Sequence, residues 1–296
     1  MANLKEIRTR IASVQSTRQI TSAMKMVSAA KLRKAQDKII QMRPYAGKLN
    51  EILTNLSRCI DDQIDTVFFK KRKVERVLII AISSNKGLCG AYNANVAKKV
   101  IQLLETDYRT YYEQDRIDII SIGKKATELM KNKNVPITET HHDILDHLGY
   151  DLVKPLAKRM LFSFENGIYD EIKIVYNQFR NAAIQDLIVE DYLPVLSNEE
   201  EEPETEIHNH YDYIFEPSVN DIIRDLIPKS LKIQLYKAFL DSIASEHGAR
   251  MTAMHKATDN ASEMIKSLQL EYNKARQATI TNEILEIVSG AEALKG

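Results

Sequence analysis

The strongest hydrophobic pattern of this chain lies near its C-terminus, in residues 245–294. This stretch contains no proline, and its two glycines, Gly248 and Gly290, lie near its ends, so nothing inside it stops a helix. Small and apolar residues recur there in alternating steps of three and four, the heptad pattern of a helix that packs along a partner helix. The seam positions are Met251, Met254, Thr258, Ala261, Ile265, Leu268, Tyr272, Ala275 and Thr279, and Ile284, Ile287, Ala291 and Leu294 resume the rhythm after a phase shift. We therefore predict one very long helix that needs a partner.

The other stretch of comparable helical length is at the N-terminus, from residue 3 to about residue 59. Its apolar residues also follow steps of three and four, and small polar residues keep the phase between Thr17 and Thr21. These apolar positions are Leu4, Ile7, Ile11, Val14, Met24 and Val27. Pro44 is expected to kink this helix without necessarily ending it. Because both chain ends must return from whatever lies between them, we predict that the terminal helices pair as a long antiparallel α-helical coiled coil.

Between residues 61 and 216 the hydrophobic period changes. The continuous apolar run at residues 74–83 is rich in β-branched residues, which is typical of a strand buried on both faces. Further strands are predicted at 116–122, 171–179 and 186–192, a short extended piece at 135–139, and helices at 93–108, 124–133 and 151–166. Strands that alternate with helices predict an α/β domain with a mostly parallel sheet. The predicted division is an N-terminal helix over residues 1–60, this α/β domain over 61–216, and a C-terminal helix over 217–296 with a break or kink at Pro228.

The basic and acidic residues are equal in number but are concentrated in different parts of the chain. Lys plus Arg and Asp plus Glu each number 41. Residues 1–48 nevertheless carry eleven basic and two acidic side chains, whereas residues 181–216 carry eleven acidic side chains and no Lys or Arg. The segment at 197–206 is expected to be a solvated acidic loop. The two ends of this charge distribution are therefore expected to face different partners.

The cysteine spacing and the hydropathy of the chain indicate the kind of cellular compartment in which it works. Cys59 and Cys89 lie far apart without metal-ligand spacing, so neither a disulfide framework nor a zinc site is indicated, and a reducing compartment fits. No stretch approaches the roughly 18 consecutive apolar residues of a membrane-spanning helix, and the N-terminus lacks the pattern of a signal peptide. We therefore predict no direct transmembrane insertion, although the chain could sit on a membrane complex.

Two stretches carry weak candidate chemistry. The turn SSNKGLCGAYN at residues 83–93 follows the first strand and opens a helix, where a phosphate loop would lie. Its glycines match neither the dinucleotide nor the P-loop pattern, so a tight strand-to-helix turn is favoured and no cofactor is predicted. Several histidines with neighbouring aspartates suggest a metal, but without Cys or a helical H-x-x-x-H pair exposed polar loops explain them better. They are His141, His142, Asp143, Asp146 and His147, and separately His208 and His210.

The basic N-terminal helix has the charge of a nucleic-acid-binding helix. Residues 1–44 contain no aromatic side chain, however, which removes base stacking as a mechanism. An acidic protein surface is at least as good a partner for this helix. The residues alone favour a scaffold or interaction protein, with a nucleotide-dependent enzyme and a nucleic-acid-binding scaffold as the alternatives.

Four segments together resemble the gamma subunit of F-type ATP synthases, and the resemblance covers nearly the whole chain. They are KEIRTRIASVQSTRQITSAMKMVSAAKLRKAQ near the N-terminus, SSNKGLCGAYN after the first strand, SEHGARMTAMHKATDNA at residues 245–261 and ITNEILEIVSGAEA at residues 280–293. In the last segment the expected signature positions are held by Thr281, Glu283, Glu286, Gly290 and Ala291. The acidic segment near residues 198–210 departs from the family by being longer and more charged than usual.

The resemblance implies a central rotor whose terminal helices form a shaft, with a Rossmann-like α/β domain inserted between them. In this family the shaft stands inside a ring of alternating alpha and beta subunits, and the α/β domain binds the epsilon subunit and the membrane c ring. A single copy per complex would transmit torque between the proton-driven c ring and the catalytic ring, coupling proton flow to ATP synthesis or hydrolysis. The resemblance implies no catalytic, cofactor or metal site, no nucleic-acid partner, and a peripheral position on the cytoplasmic face of the bacterial inner membrane.

The same resemblance implies two sets of contact residues. Met24 and Lys25 would contact an acidic lever loop of the beta subunit, and Lys31, Arg33 and Lys34 would continue that face. A second set would hydrogen-bond to catch loops of the ring, and its members are Arg250, Arg276, Gln277, Thr281 and Glu283. Each polar residue has a simpler interpretation as an exposed flank of the heptads, where a helix ion pair contributes only about 0.3 to 0.5 kcal/mol.

Overall fold

The computed structural model describes residues 4–58, 67–69, 72–145, 149–195 and 219–293. Its helices are α1 (Leu4–Arg58), α2 (Tyr92–Glu105), α3 (Arg109–Glu113), α4 (Lys124–Lys131), α5 (Tyr150–Glu165) and α6 (Val219–Ala293). Its strands are β1 (Val77–Ile82), β2 (Ile117–Ile122), β3 (Glu139–His141), β4 (Glu171–Phe179) and β5 (Gln185–Leu193). Single turns of 3₁₀ helix occur at Val67–Phe69 and Asp143–Leu145.

The chain divides into two compact units, and both long helices contribute to each of them. One unit comprises residues 1–29 and 250–296, and the other comprises residues 30–249. The boundaries predicted at residues 60 and 216 both fall outside the described residues, as does the acidic segment at 197–206. The three-part division made from the sequence therefore stays a prediction.

The sheet in the larger unit has the strand order β3-β2-β1-β4-β5. The pairings of β1 with β2, β1 with β4, and β2 with β3 are parallel, and β5 returns antiparallel to β4 as a hairpin. The α/β class with long terminal helices and a mostly parallel sheet is thus confirmed. β3 begins where the predicted extended piece at 135–139 ends, at Glu139.

Every residue of β1 is buried, which explains why its sequence is a continuous apolar run. Leu78, Ile80 and Ile82 face a core that includes α5 and α6. Their neighbours Val77, Ile79 and Ala81 face a second core that includes α2 and α4. A central parallel strand covered by helices on both faces needs apolar side chains at every position, so no alternation appears in its sequence.

The first part of α6 belongs to the core on the α5 side of the sheet. Ile227, Leu231, Leu235 and Phe239 are all buried there. Of the break or kink predicted at Pro228, the break is wrong, because α6 runs through this proline without interruption, and the kink stays a prediction. The buried side chains on either side of Pro228 hold the helix against the sheet and compensate for the missing backbone hydrogen bond.

The helix predicted over residues 93–108 is also shorter than expected, because α2 ends at Glu105 and α3 starts at Arg109. Tyr108 between them is buried, and its hydroxyl donates a 2.8 Å hydrogen bond to Glu171 at the start of β4. This contact requires the chain to leave helical geometry, which the local pattern does not reveal. Among the described helices, none is long and apolar enough to cross a membrane.

Two helical glycines of the larger unit provide a matched stability test. A Cβ atom built on Gly47 of α1 meets nothing within 4 Å, whereas one on Gly248 of α6 lies 3.2 Å from the carbonyl oxygen of Ala182. Because alanine is the better helix former, Gly47→Ala should raise the free energy of unfolding by about 0.5 to 1 kcal/mol. Gly248→Ala should gain less or lose stability, since Ala182 in the β4–β5 turn must move. Denaturant unfolding of both variants measures this, and equal stabilisation would contradict the close approach.

Candidate functional site

In the smaller unit, the start of α1 packs along the second half of α6. The hydroxyl oxygens of Thr21 and Thr258 lie 2.9 Å apart, and Nζ of Lys25 lies 3.4 Å from Nδ1 of His255. As the number rises along α1, the number of the partner falls along α6, so the two helices are antiparallel. The predicted antiparallel pairing of the chain ends is therefore observed in this unit.

The contact between these helices follows the predicted seam over much of its length. Met254, Ala261, Ile265 and Leu268 of α6 are buried, and Met251, Thr258, Tyr272 and Ala275 are partly buried. On α1, Ile7 and Thr21 are buried. The seam thus combines a few large apolar side chains with small and polar ones, which keeps the two helices close together.

One seam position on α1 is wrong. Val27 is 57% exposed, while its neighbour Ser28 is 3% exposed and donates a 2.7 Å hydrogen bond to the carbonyl of Met24. The buried stripe of α1 keeps the period of a two-helix seam, in which Ser28 follows Thr21 by seven residues. The predicted positions Thr21, Met24 and Val27 are separated by two successive steps of three. This spacing turns the predicted stripe away from the partner helix.

The seam of α6 also ends earlier than predicted. Thr279, Ile284, Ile287 and Ala291 are exposed, as are all described side chains after Ala275. Leu294 lies outside the described residues. In the antiparallel pair, each step back along α1 from Thr21 corresponds to an equal step forward along α6 from Thr258. Leu4 therefore lies level with Ala275. Within the described residues, α1 begins at Leu4, so no described part of α1 packs against the last part of α6.

This exposed last part of α6, residues 276–293, is here called the terminal segment. Its apolar side chains lie along one broad side of the helix, with Ile287 71% exposed. The members of this apolar set are Ile280, Ile284, Leu285, Ile287 and Val288. The sequence pattern placed Ile284 and Ile287 in the seam and did not identify the other three as exposed residues. They can be recognised only when the register of the helix pair is known, because the register shows which part of α6 extends past α1.

The contact residues implied by the family resemblance occupy three different environments. Met24 and Lys25 are partly buried on α1 in the smaller unit, and Arg250 of α6 is 8% exposed. Lys31, Arg33 and Lys34 are exposed on the part of α1 that belongs to the larger unit. The remaining four are exposed on the terminal segment, interspersed with its apolar side chains, and are Arg276, Gln277, Thr281 and Glu283.

The turn after β1 has the structure of a self-satisfied strand-to-helix connection. Oδ1 of Asn93 accepts hydrogen bonds from the backbone N–H of Ser84 at 2.9 Å and from its hydroxyl at 3.0 Å. Nδ2 of Asn93 lies 3.1 Å from Sγ of the buried Cys89. The side chain of Asn93 thus ties both ends of the turn together and takes up the backbone N–H of Ser84, which favours the tight-turn interpretation.

The crevice between the carboxyl ends of β1 and β4 is the place where doubly wound sheets bind nucleotides. Here α6 lies across it. The hydroxyl of Tyr92, at the start of α2, lies 2.9 Å from the carbonyl oxygen of Ser242, and Ser245 donates a 2.9 Å hydrogen bond to the carbonyl of Asn177 in β4. All four residues are buried. The long helix therefore uses this crevice as its own docking position on the sheet.

The histidine cluster is an ion-pair network in the part that the structure describes. Arg159 contacts both carboxylate oxygens of Glu139, at 2.9 and 2.6 Å, and Nε2 of His141 lies 2.9 Å from the same carboxylate. Partial burial opposes ionisation of Glu139, but Arg159 and His141 together lower its pKa. The described residues contain no group of side chains arranged to hold a metal ion, and Asp146, His147, His208 and His210 lie outside them.

Comparison with known proteins decides the family. The chain matches the family model described as ATP synthase over residues 3–294. It is 54% identical over 296 residues to the ATP synthase gamma chain of Christiangramia forsetii, with 100% of both chains covered. The chain belongs to the ATP synthase gamma chain family. The ATP synthase gamma chain of Cytophaga hutchinsonii is 48% identical over 297 residues, with 99% of each chain covered.

A solved structure has the same fold. A chain in the structure of Euglena gracilis mitochondrial ATP synthase, OSCP/F1/c-ring in rotational state 3, superposes with a TM-score of 0.65 at 23% identity. The superposition covers 98% of this chain and 94% of that one. The shared fold therefore includes both terminal helices and the sheet between them.

Proposed function

We propose that this chain is the central-stalk rotor subunit of a bacterial ATP synthase. It transmits torque between a proton-driven ring of membrane c subunits and the catalytic ring of alpha and beta subunits. The proposal is supported by full-length similarity to bacterial gamma chains. It is also supported by the Euglena structure, in which a chain of the same fold is part of an assembly with F1 and the c-ring.

The observation that carries this proposal is the terminal segment. Five large apolar side chains on one unpaired helix, each about half exposed or more, are an unfavourable surface in water. A partner that packs against the apolar side of the helix removes this cost. The inner surface of a ring of subunits around the segment meets this requirement.

The helix pair also has the asymmetry that a rotor needs. It consists of two different helices of unequal reach, so it presents a different face in each direction. Inside a ring with three equivalent catalytic interfaces, each interface then contacts a different face of the shaft. Because a contact that favours one conformation of a site shifts the equilibrium of that site, rotation exchanges the three states in turn.

The contact residues form two sets in this proposal. Met24 and Lys25, followed by Lys31, Arg33 and Lys34, meet the acidic lever loop of the beta subunit. The other set hydrogen-bonds to the catch loops of the ring and comprises Arg250, Arg276, Gln277, Thr281 and Glu283. The basic set is attracted to an acidic loop over several ångströms, so its contribution should weaken as salt is added.

The larger unit is the part that contacts the epsilon subunit and the c ring. One copy of the chain is present in each complex, held peripherally on the cytoplasmic face of the bacterial inner membrane, without a nucleic-acid partner. The chain is proposed to be non-catalytic, because catalysis by the complex takes place in the ring. The packing of α6 across the sheet crevice, through Tyr92 and Ser242, supports this assignment.

Crosslinking the terminal segment to the subunits around it tests the proposal. In the assembled complex with Cys59 and Cys89 replaced by serine, Gln277→Cys is labelled with a thiol-reactive photo-crosslinker. Illumination should link the chain to an alpha or beta subunit and abolish steady-state ATP hydrolysis, because a covalently held shaft cannot turn. The measurement is hydrolysis rate against crosslinked fraction, with the linked subunit identified by mass spectrometry.

The matched control carries the same reagent at Leu88→Cys, another exposed position, in the larger unit. This control should give no crosslink to the catalytic ring. Full hydrolysis after complete crosslinking at position 277, or absence of any crosslink there to alpha or beta, would refute the rotor assignment.

A further inference from the structure

A basic groove lies between α5 and α6 in the larger unit. Its volume is about 470 Å³, and it is lined by Lys158, Arg159, Leu161, Phe162, Glu165, Pro228 and Lys232. Lys158 and Phe162 are exposed, and Lys232 is partly buried. The family comparison and the rotor proposal assign no role to this groove.

The groove carries clustered positive charge. Lys154, Lys158 and Lys229 are close enough to Lys232 to act on its titration. The pKa of Lys232 is lowered, first by its partial burial and then by these three lysines, while Asp225 acts in the opposite direction. Lys158 and Lys232 line the groove, and Lys154 and Lys229 lie close to Lys232, so these lysines outnumber the acidic groups Asp225 and Glu165. Arg159 is already paired with Glu139. Such a cluster repels itself, and an incoming anion relieves the repulsion.

The charges are combined with an apolar stripe. Lys154, Lys158 and Phe162 are spaced by four residues, so they lie along one face of α5. Phe162 is 62% exposed, and Pro228 lies across the groove from it on α6. A large exposed aromatic side chain next to several lysines offers both apolar contact and charge attraction to one occupant.

We propose that this groove docks an acidic segment of a partner protein, with its carboxylates beside the lysines and an apolar side chain between Phe162 and Pro228. The inference goes beyond the rotor assignment and does not rest on it, because it depends only on the charge and shape of the groove. Carboxylates suit lysines here because the interaction needs no fixed geometry.

Two other occupants fit the groove less well. All its lining residues lie within α5 or α6, where backbone N–H groups bond within the helix, so no N–H cradle for a phosphate is available. A flat membrane surface meets the exposed Lys158 and Phe162 more readily than the partly buried Lys232. A narrow peptide segment reaches all three side chains.

The test uses the full chain and a fluorescent decapeptide with six glutamates and one central leucine, followed by anisotropy at low and moderate salt. The variant Lys154→Gln/Lys158→Gln/Lys232→Gln should bind the peptide about tenfold more weakly, since three favourable charge contacts are lost. Phe162→Ser should also weaken binding, but with little change in the salt dependence. The matched control Lys98→Gln/Lys131→Gln/Lys133→Gln removes the same charge from other exposed positions of the unit and should bind like the parent.

Three outcomes would overturn the inference. Equal weakening in both triple variants would mean that only net charge matters. Stronger groove-dependent binding to phosphatidylglycerol vesicles than to the peptide would assign the groove to a membrane, and groove-dependent binding of MgATP would assign it to a phosphate ligand. Because the crosslinking test uses a different surface and readout, its failure would leave this result unaffected.

Discussion

Proton-driven ATP synthesis by the assembled complex is expected to fall to about a tenth or less when Ala275 is replaced by proline. Ala275 lies within α6, where the described seam with α1 ends. Proline in a helix interior removes a backbone hydrogen bond, clashes with the preceding turn and costs about 3 kcal/mol or more. The helix then bends or breaks where it loses lateral support, so the terminal segment no longer turns with the rest of the shaft.

The measurement compares ATP synthesis, proton pumping and ATP hydrolysis in the same membrane vesicles. Hydrolysis should persist to a larger degree than synthesis or pumping, since sites in the ring remain intact while their coupling to the rotor is lost. Ala275→Ser is the control, because it keeps the helix and nearly the same side-chain size. Normal pumping and synthesis in the proline variant would argue against torque transfer through a continuous α6.

The largest expected effect on stability is at Gly123, between β2 and α4. Its backbone has φ of 96° and ψ of 144°, a conformation that residues with a Cβ atom rarely adopt. A Cβ atom there would lie 2.6 Å from the carbonyl oxygen of Ser83. Ser83 cannot easily move, since its N–H donates a 2.8 Å hydrogen bond to Ile122 at the end of β2. Gly123→Ala should therefore lower the free energy of unfolding by about 3 kcal/mol or more.

Two other glycines of the same unit calibrate this prediction. Gly87→Ala should change stability by less than about 0.5 kcal/mol, because a Cβ atom there meets nothing within 4 Å. Gly90 has equally open surroundings but a φ of +60°, so Gly90→Ala should cost about 1 kcal/mol from backbone conformation alone. Urea unfolding followed by circular dichroism measures the series. Similar stabilities for Gly87→Ala and Gly123→Ala would show that the turn adapts at little cost.

Local hydrophobic periodicity predicted helices and strands well wherever no tertiary contact opposed it. The strand predicted at 171–179 has the bounds observed for β4, and the apolar run at 74–83 contains β1. Errors occurred where a tertiary contact overrode the local pattern. Tyr108 leaves the helix to reach Glu171, and the core around Ile227 and Leu231 carries α6 through Pro228.

The candidate site was less accessible to sequence reasoning than the fold. The heptads of residues 251–275 required a partner helix, but hydrophobicity alone could not tell Val27 from Ser28 as the seam residue. A serine can occupy a narrow seam by donating its hydroxyl hydrogen bond to its own helix, as Ser28 does to Met24. The seam is therefore identified by its spacing more reliably than by its most apolar residues.

By itself, the sequence determined the two long terminal helices, their need for each other, the α/β class of the region between them and, through four segments, the family. These properties follow from periodicity, chain direction and side-chain type, which are local. Only the tertiary structure decided that α6 outlasts its partner after Ala275, that α6 fills the crevice beside Tyr92, and that lysines from α5 and α6 meet in one groove. Those properties depend on the register between distant segments, because a side chain becomes a surface or a core residue only when its neighbours are in place.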